Sequence, residues 1–267
     1  MSEIIAIVCG EVLHGIIYPA VDIYKYIMET KSDPRTRDWL LMASPIPLLM
    51  ILATYLYFCL WIGPNFMKER QPMELKTITR IYHITQVVLN VFIVYEHMEG
   101  GWRENYSFAC QPIDYSNTPT AVRIAESVWW YFMRNMIALL DTVFFILKKK
   151  NNRLSFFHIY HHSVMPLCSW IGVKFFAGGH GTLLGFINSF HHTLMHSYNF
   201  ITSLTPKFEK NITWKRRLTQ LQTIQFCILI LHNLQVLFRQ CNYPKLISLV
   251  LVLNASFFLF LNFENEE

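Results

Sequence analysis

Charged residues in this 267-residue chain are gathered into short runs, and between the runs lie apolar stretches of about twenty residues. That is the length an α-helix needs to cross roughly 30 Å of hydrocarbon. Read in order, the stretches are Trp39–Ile62, Thr77–Met98, Ile124–Leu147, Ser155–Phe176, Thr182–Leu204, Leu218–Leu237 and Pro244–Phe263. Composition agrees: 53% of residues are hydrophobic and 15% charged, against about 25% charged in an ordinary soluble domain. A soluble helical bundle would need polar faces at helical spacing, and most of these stretches have none. The expectation is therefore an all-α, polytopic membrane protein of about seven transmembrane helices, preceded by an N-terminal segment over residues 1–38. No repeat, low-complexity tract or long linker divides the chain, so residues 1–267 read as one domain. The first thirty residues carry Glu3, Glu11 and Asp22 and no basic start, which argues for an amphipathic helix rather than a cleavable leader.

The loops set the orientation. Those after the first, third and fifth stretches hold Lys68, Arg70, Lys76 and Arg80, then Lys148, Lys149, Lys150 and Arg153, then Lys207, Lys210, Lys215, Arg216 and Arg217. At the opposite ends stand only Arg103, Arg123, Lys174, Arg239 and Lys245. The positive-inside rule puts the odd-numbered loops and the C-terminus in the cytosol and the N-terminus on the far side. Lys31, Arg35 and Arg37 of the N-terminal segment run against that trend. Cys9 lies in that segment, and Cys59, Cys168 and Cys227 within stretches read as small apolar residues. Cys110 and Cys241 fall in non-cytosolic loops, where an oxidising compartment permits a disulfide. Asn105-Tyr106-Ser107 in one of those loops is a glycosylation acceptor.

Ionisable groups inside a membrane are costly, and each is a functional hypothesis by default. His158, His161 and His162 share one helix face by their i, i+3, i+4 spacing, and His192 and His196 repeat the pattern on the next stretch beside His191. Asp141-Thr142 ends the third stretch, Thr219, Gln222 and Gln225 begin the sixth, and His83 lies early in the second. Counted from the cytosolic boundary, Asp141, His161, Gln222 and His83 all sit about six residues deep, ~9 Å at the helical rise. Polar groups from five helices thus converge on one layer. A lone intramembrane histidine is often an ordinary helix-packing contact; this many at one depth read as a site.

Two chemistries suit clustered imidazoles. One is a metal centre, since an HxxHH face presents two or three ligand nitrogens. Membrane di-iron enzymes, however, use about eight histidines in several boxes, and Asp141 is the one well-placed acid here. The other is nucleophilic and acid–base catalysis by imidazole: a neutral histidine attacks a thioester and a neighbour shuttles the proton. An apolar space between helices would hold an acyl chain, and the basic cytosolic loops would attract the phosphates of a carrier such as coenzyme A. Positive-inside topology explains those lysines equally well. Nothing in the chain suggests a nucleic-acid partner.

In context the motifs form a familiar series. In order they are Asp33-Pro34-Arg35 with Trp39 and Ser44-Pro45; Gly63-Pro64 with Met67, Arg70 and Pro72; Cys110-Gln111-Pro112 with Asp114-Tyr115-Ser116; and Leu140 to Phe145. Then follow His158–His162 with Ser163 to Pro166, Asn188-Ser189-Phe190 with His192 and Met195, Trp214-Lys215, Leu218-Thr219, Gln222, Gln225-Phe226, Cys241 and Tyr243-Pro244. Along nearly its whole length the chain resembles the ELO family of very-long-chain fatty acid elongases.

The resemblance implies a protein of the endoplasmic reticulum membrane with seven spans, six enclosing an acyl tunnel. The implied reaction condenses an acyl-CoA with malonyl-CoA to a 3-ketoacyl-CoA two carbons longer, without a cofactor or metal, in a cycle shared with reductases and a dehydratase. His161 would take the acyl group with His192 as partner, and His158, His162 and Asp141 would orient them. Asn188, Gln222, Gln225, Lys148, Lys215 and Arg217 would bind substrate, and Cys110 and Cys241 would pair. The chain departs from the family's KxxExxDT pattern, with Asn135 and Ala138 in place of the Lys and Glu. Two usual tyrosines are His196 and Asn199, a usual asparagine is His83, and the tail Glu264-Asn265-Glu266-Glu267 lacks a lysine-rich retention signal. A catalytically weak homologue and a histidine-liganded, metal-dependent lipid-modifying enzyme are the alternative readings.

Overall fold

The computed structural model describes Gly15 and residues 18–103, 106–150, 154–205 and 212–264, and every regular element among them is helical. Glu3, Cys9, Glu11, Asn105, Arg153, Lys207, Lys210 and residues 265–267 lie outside the described residues. A short helix α1 (Tyr18–Tyr26) with no buried residue is followed by seven long helices. α2 runs from Ile46 to Met67, α3 is Lys76–His97, α4 is Pro119–Leu147 and α5 is Phe156–Phe175. α6 is Thr182–Leu204, α7 is Ile212–Phe238 and α8 is Lys245–Glu264. By length and composition α2, α3, α4 and α7 can cross a membrane, and α8 is a shorter apolar helix. The histidine-bearing α5 and α6 are 20 and 23 residues long. The chain is a polytopic, all-helical membrane protein.

Three starts differ from the expectation, and the sixth stretch opens at Ile212 rather than Leu218 because the helix runs on through the basic residues Lys215, Arg216 and Arg217. The first helix begins at Ile46 rather than Trp39. Residues preceding a proline are pushed out of the helical region, and Pro45 and Pro47 stand where the helix opens, at positions that can lack an N–H. The third begins at Pro119 rather than Ile124, because Thr118 caps it by accepting from the Ala121 N–H at 3.4 Å, with proline at the first helical position. Both signals are legible in Ser44-Pro45 and Thr118-Pro119. The fifth helix has the expected bounds.

Six helices close into a ring, in the spatial order α3, α4, α5, α8, α7, α6 and back to α3. The chain thus builds two consecutive three-helix halves, α3–α5 and α6–α8, joined along the α3–α6 and α5–α8 seams. α3 and α6 are antiparallel: the Arg80 guanidinium donates to the Ser203 carbonyl at one end, while Gly185 meets His97 at the other. α2 stays outside the ring, where Met42, Leu48 and Leu52 pack with Phe132, Trp170 and Val173 of α4 and α5. Large apolar side chains such as Leu60, Trp61, Val88, Leu231, Leu253 and Phe260 face outward. In water that surface would be an association hazard; against lipid it is the expected exterior.

One end of the ring is capped. Cys110, before α4, and Cys241, between α7 and α8, form a disulfide with Cα atoms 5.6 Å apart. His180 and His232 stack with centroids 3.6 Å apart, and each donates its Nε2–H to the other's backbone carbonyl, at 2.9 and 3.0 Å. Gly179, at φ +69°, makes the turn that delivers His180, and a Cβ there would meet Ile113 at 2.8 Å. The Trp102 indole donates to Thr182 Oγ1 at 3.0 Å. Arg35 and Asp33 form an ion pair whose side chains are 3% and 0% exposed. The same guanidinium donates to the carbonyls of Ala121 and Ala177, tying the N-terminal segment to this cap.

Candidate active site

At the opposite end, a chamber of about 500 Å3 lies inside the ring. Its wall includes His83 from α3, Asp141 from α4, His158, His161 and His162 from α5, and His191 and His192 from α6. Lys215, Thr219 and Gln222 of α7 complete it. Every helix of the ring except α8 therefore contributes a polar group, which is what helical periodicity permits when each carries them at matched depth.

The histidines fall into two groups. On α5, Ser155 caps the helix by accepting from the His158 N–H at 3.1 Å, which starts the turn that puts 158 and 162 on one face. His158 Nε2 lies 3.0 Å from Thr142 Oγ1, and that hydroxyl lies 2.7 Å from the buried Tyr55 hydroxyl. This fixes the His158 ring, and His162 packs on it with centroids 4.3 Å apart. His161 turns the other way, against Phe157 and Phe258, and its Nδ1 has no hydrogen-bond partner among the described residues. On α6, His191 Nε2 lies 3.2 Å from the Leu218 carbonyl. His192 stacks on His196 with centroids 5.8 Å apart, and its Nδ1 is likewise unpartnered. His196 Nδ1 meets His83 Nδ1 at 3.1 Å, so one ring of that pair donates and the other accepts. The two departures from the family's usual residues, His83 and His196, thus contact one another.

Other predicted residues distribute around the chamber. Lys148 donates to Thr79 Oγ1 at 2.9 Å and lines a smaller polar cavity beside it with His83, Asp141 and Lys215. Gln225 and Asn188 stand deeper, in a narrow neck with His161, Met165, Leu184 and Phe258. Asn188 Oδ1 accepts from the Tyr131 hydroxyl at 3.1 Å. Arg217 is exposed and lines none of these spaces. Past the neck, a mainly apolar cavity of about 120 Å3 reaches Phe176, Gly181 and Tyr243 at the capped end. Chamber and neck share His161; neck and cavity share Met165, Leu184 and Asn254. The three spaces therefore lie in series inside the ring, from the histidines toward the cap. From His161 to Phe176 they follow α5 for roughly 22 Å at 1.5 Å per residue.

Three residues here escaped sequence reasoning. Arg134 is 2% exposed and donates to Asn135 Oδ1 at 2.6 Å, while Asn135 Nδ2 donates to Ser169 Oγ at 3.3 Å. Asn135, where the resemblance leads one to expect a Lys, thus links a buried arginine one residue earlier to α5, while Ala138 is a buried apolar position. The run Met133-Arg134-Asn135 inside an apolar stretch was the available signal. Tyr55 and Tyr131 carried none. Among the described residues, no group of three or more His, Cys, Asp or Glu side chains converges as a metal cluster.

The ELO profile, described as the GNS1/SUR4 family, matches residues 40–264. Among curated proteins the chain is 44% identical over 245 residues to very long chain fatty acid elongase 4 of Homo sapiens, covering 91% of this chain and 77% of that protein. It is 40% identical over 241 residues to very long chain fatty acid elongase 7 of Drosophila melanogaster, covering 90% and 73%. It is 39% identical over 247 residues to very long chain fatty acid elongase 1 of Mus musculus, covering 91% and 88%.

Proposed function

The chain belongs to the ELO (GNS1/SUR4) family, and from that membership we propose that it is a condensing enzyme of very-long-chain fatty acid elongation. It joins a long-chain acyl-CoA to malonyl-CoA and uses no cofactor beyond these substrates. The observation that carries the reading is a histidine chamber, a small space deeper in and an apolar cavity, which follow one another inside the six helices and share wall residues. It suits a substrate with a polar, reactive head and a long apolar tail.

The tail would lie along these spaces with the thioester beside His161. A neutral imidazole nitrogen of His161 attacks the thioester carbonyl, the C–S bond breaks, and the acyl group rests on the ring while coenzyme A leaves as thiolate. His192 relays to the thiolate the proton that the acylated His161 ring gives up. Malonyl-CoA then loses carbon dioxide, and the resulting enolate attacks the acyl carbon. The C–N bond breaks, the departing His161 ring takes up a proton from water through His192, and a 3-ketoacyl-CoA two carbons longer departs. His158, held by Thr142, orients His162, and Asp141 sets the electrostatics of the chamber mouth. Gln222, Gln225 and Asn188 position the substrate. Lys148 and Lys215, with Arg217 outside, attract the phosphates of coenzyme A. The basic loops at this mouth favour a cytosolic chamber in the endoplasmic reticulum membrane, with the C-terminus cytosolic and the N-terminus and disulfide lumenal. Reductases and a dehydratase would process the product.

The test is expression in cells without elongases, followed by incubation of microsomes with labelled malonyl-CoA and a panel of acyl-CoAs, with His161→Ala as the matched control. Label in lengthened products, lost in the mutant, supports condensation. Inserted protein that extends nothing sinks it.

A further inference from the structure

His97, the last residue of α3, is fully buried and lines the apolar cavity beyond the neck. Its Nδ1 lies 2.9 Å from the Ile93 carbonyl, which can only accept, so Nδ1 carries the hydrogen. In the neutral ring that leaves Nε2 as a bare acceptor, and it has no hydrogen-bond partner among the described residues. Space for it is made by Gly185 of α6, where a Cβ would stand 3.0 Å from Nε2.

Three other polar groups of this wall are engaged. Ser169 Oγ donates to the Met165 carbonyl at 2.7 Å, and Thr182 Oγ1 donates to Gly179 at 2.7 Å while accepting from Trp102. The Tyr131 hydroxyl donates to Asn188. Across the ring, α8 contributes Asn254, which lines both the neck and this cavity. An acceptor kept unpaired in an otherwise apolar cavity costs free energy unless a donor reaches it. A saturated hydrocarbon tail has no donor.

We propose that this cavity is a subsite for acyl chains bearing a hydroxyl group part-way along the tail, with His97 Nε2 accepting from that hydroxyl. This rests on the condensation reading and names a substrate class for it. Gly185 precedes His192 by seven positions on α6, so the hydroxyl would lie roughly 10 Å below the histidine chamber. Asn254 supplies an amide in the same cavity that can donate to the hydroxyl oxygen. The subsite discriminates by leaving a buried acceptor unmet when the tail is plain.

The experiment uses the full chain reconstituted in lipid vesicles. A saturated long-chain acyl-CoA competes at equal concentration with hydroxy isomers of the same length that carry the group at successive carbons. Wild type should extend one or two adjacent isomers about 5–10-fold faster than the plain chain, the range of one hydrogen bond. His97→Phe should erase that ratio, and His97→Gln, which keeps an acceptor, should restore part of it. Direct binding of the same acyl-CoAs, measured without malonyl-CoA, and the melting temperature of each variant accompany the rates. Elongation with equal rates for all isomers, or a ratio unchanged in His97→Phe, overturns the subsite and leaves condensation standing. Binding that prefers the hydroxy isomers without any elongation supports the subsite and overturns condensation.

Discussion

The two ends of the ring use the same side chain for opposite purposes. At the chamber end, His161 and His192 each keep a ring nitrogen without a partner among the described residues, beside a space of about 500 Å3. At the capped end, His180 and His232 stack at 3.6 Å and bind one another's carbonyls through Nε2. His180 also keeps its Nδ1 without a partner among the described residues, but its ring is held by reciprocal hydrogen bonds and a stacked neighbour and works as a rivet. The free nitrogens of His161 and His192 belong to rings that line a chamber, and they can attack or carry a proton. Residue identity does not separate the two roles. Surroundings do.

The sharpest way to break this contrast is to remove a histidine from each end. His161→Ala should lower malonyl incorporation by about 10^3-fold or more with little change in melting temperature, whereas His232→Ala should lower the melting temperature and keep turnover per folded molecule. A variant of His232 that abolishes turnover at an unchanged melting temperature would end the distinction. Next in size, Asp33→Ala should destabilise the capped end by about 3–5 kcal/mol, because it strands the Arg35 guanidinium in a dry site. This is read by thermal unfolding in detergent, and the chamber's acyl-CoA affinity should hold in the surviving folded fraction. Cys110→Ser opens a link between residues 131 apart in sequence and should cost about 2–4 kcal/mol. Adding reductant to wild type should reproduce that loss and leave the serine variant unaffected.

The smallest effect is one of pH. Burial pushes the His180 ring below its usual 6.5, and its hydrogen bond to the His232 carbonyl offsets only part of that. The folded protein therefore resists a proton that the unfolded chain accepts, so the stability His180 supplies is complete above pH 6.5 and falls as pH drops below it. The melting temperature of wild type should decline by a few degrees more than that of His180→Asn between pH 7.5 and 5.5. Parallel declines would remove His180 from the account.

Why one end is readable in the sequence and the other is not follows from range. His158, His161 and His162 announce themselves because helical spacing alone puts them on one face, and hydropathy alone set their depth near Asp141 and Gln222. The helix bounds were legible for the same reason, and failed where a proline boundary overruled hydropathy at Ile46 and Pro119 and where a helix ran through a basic run at Ile212. His180 and His232 are 52 residues apart, and no local pattern links a turn histidine to one in a later helix. His97 reads from the sequence as a residue at a helix end. Only the ring's closure puts it in a cavity wall opposite Asn254. Arg134 was likewise hidden, because its partner Asn135 looked like a loss rather than a link to α5.

The disulfide joins the loop before α4 to the turn between α7 and α8, so it bridges the two consecutive three-helix halves. During biosynthesis the first half leaves the ribosome carrying the HxxHH box but without His192, and that fragment has no chamber. Cys110 then has no disulfide partner until α7 has been made, because Cys241 follows that helix. Covalent closure consequently doubles as a completion mark: only a chain whose second half has arrived in the bilayer can acquire it.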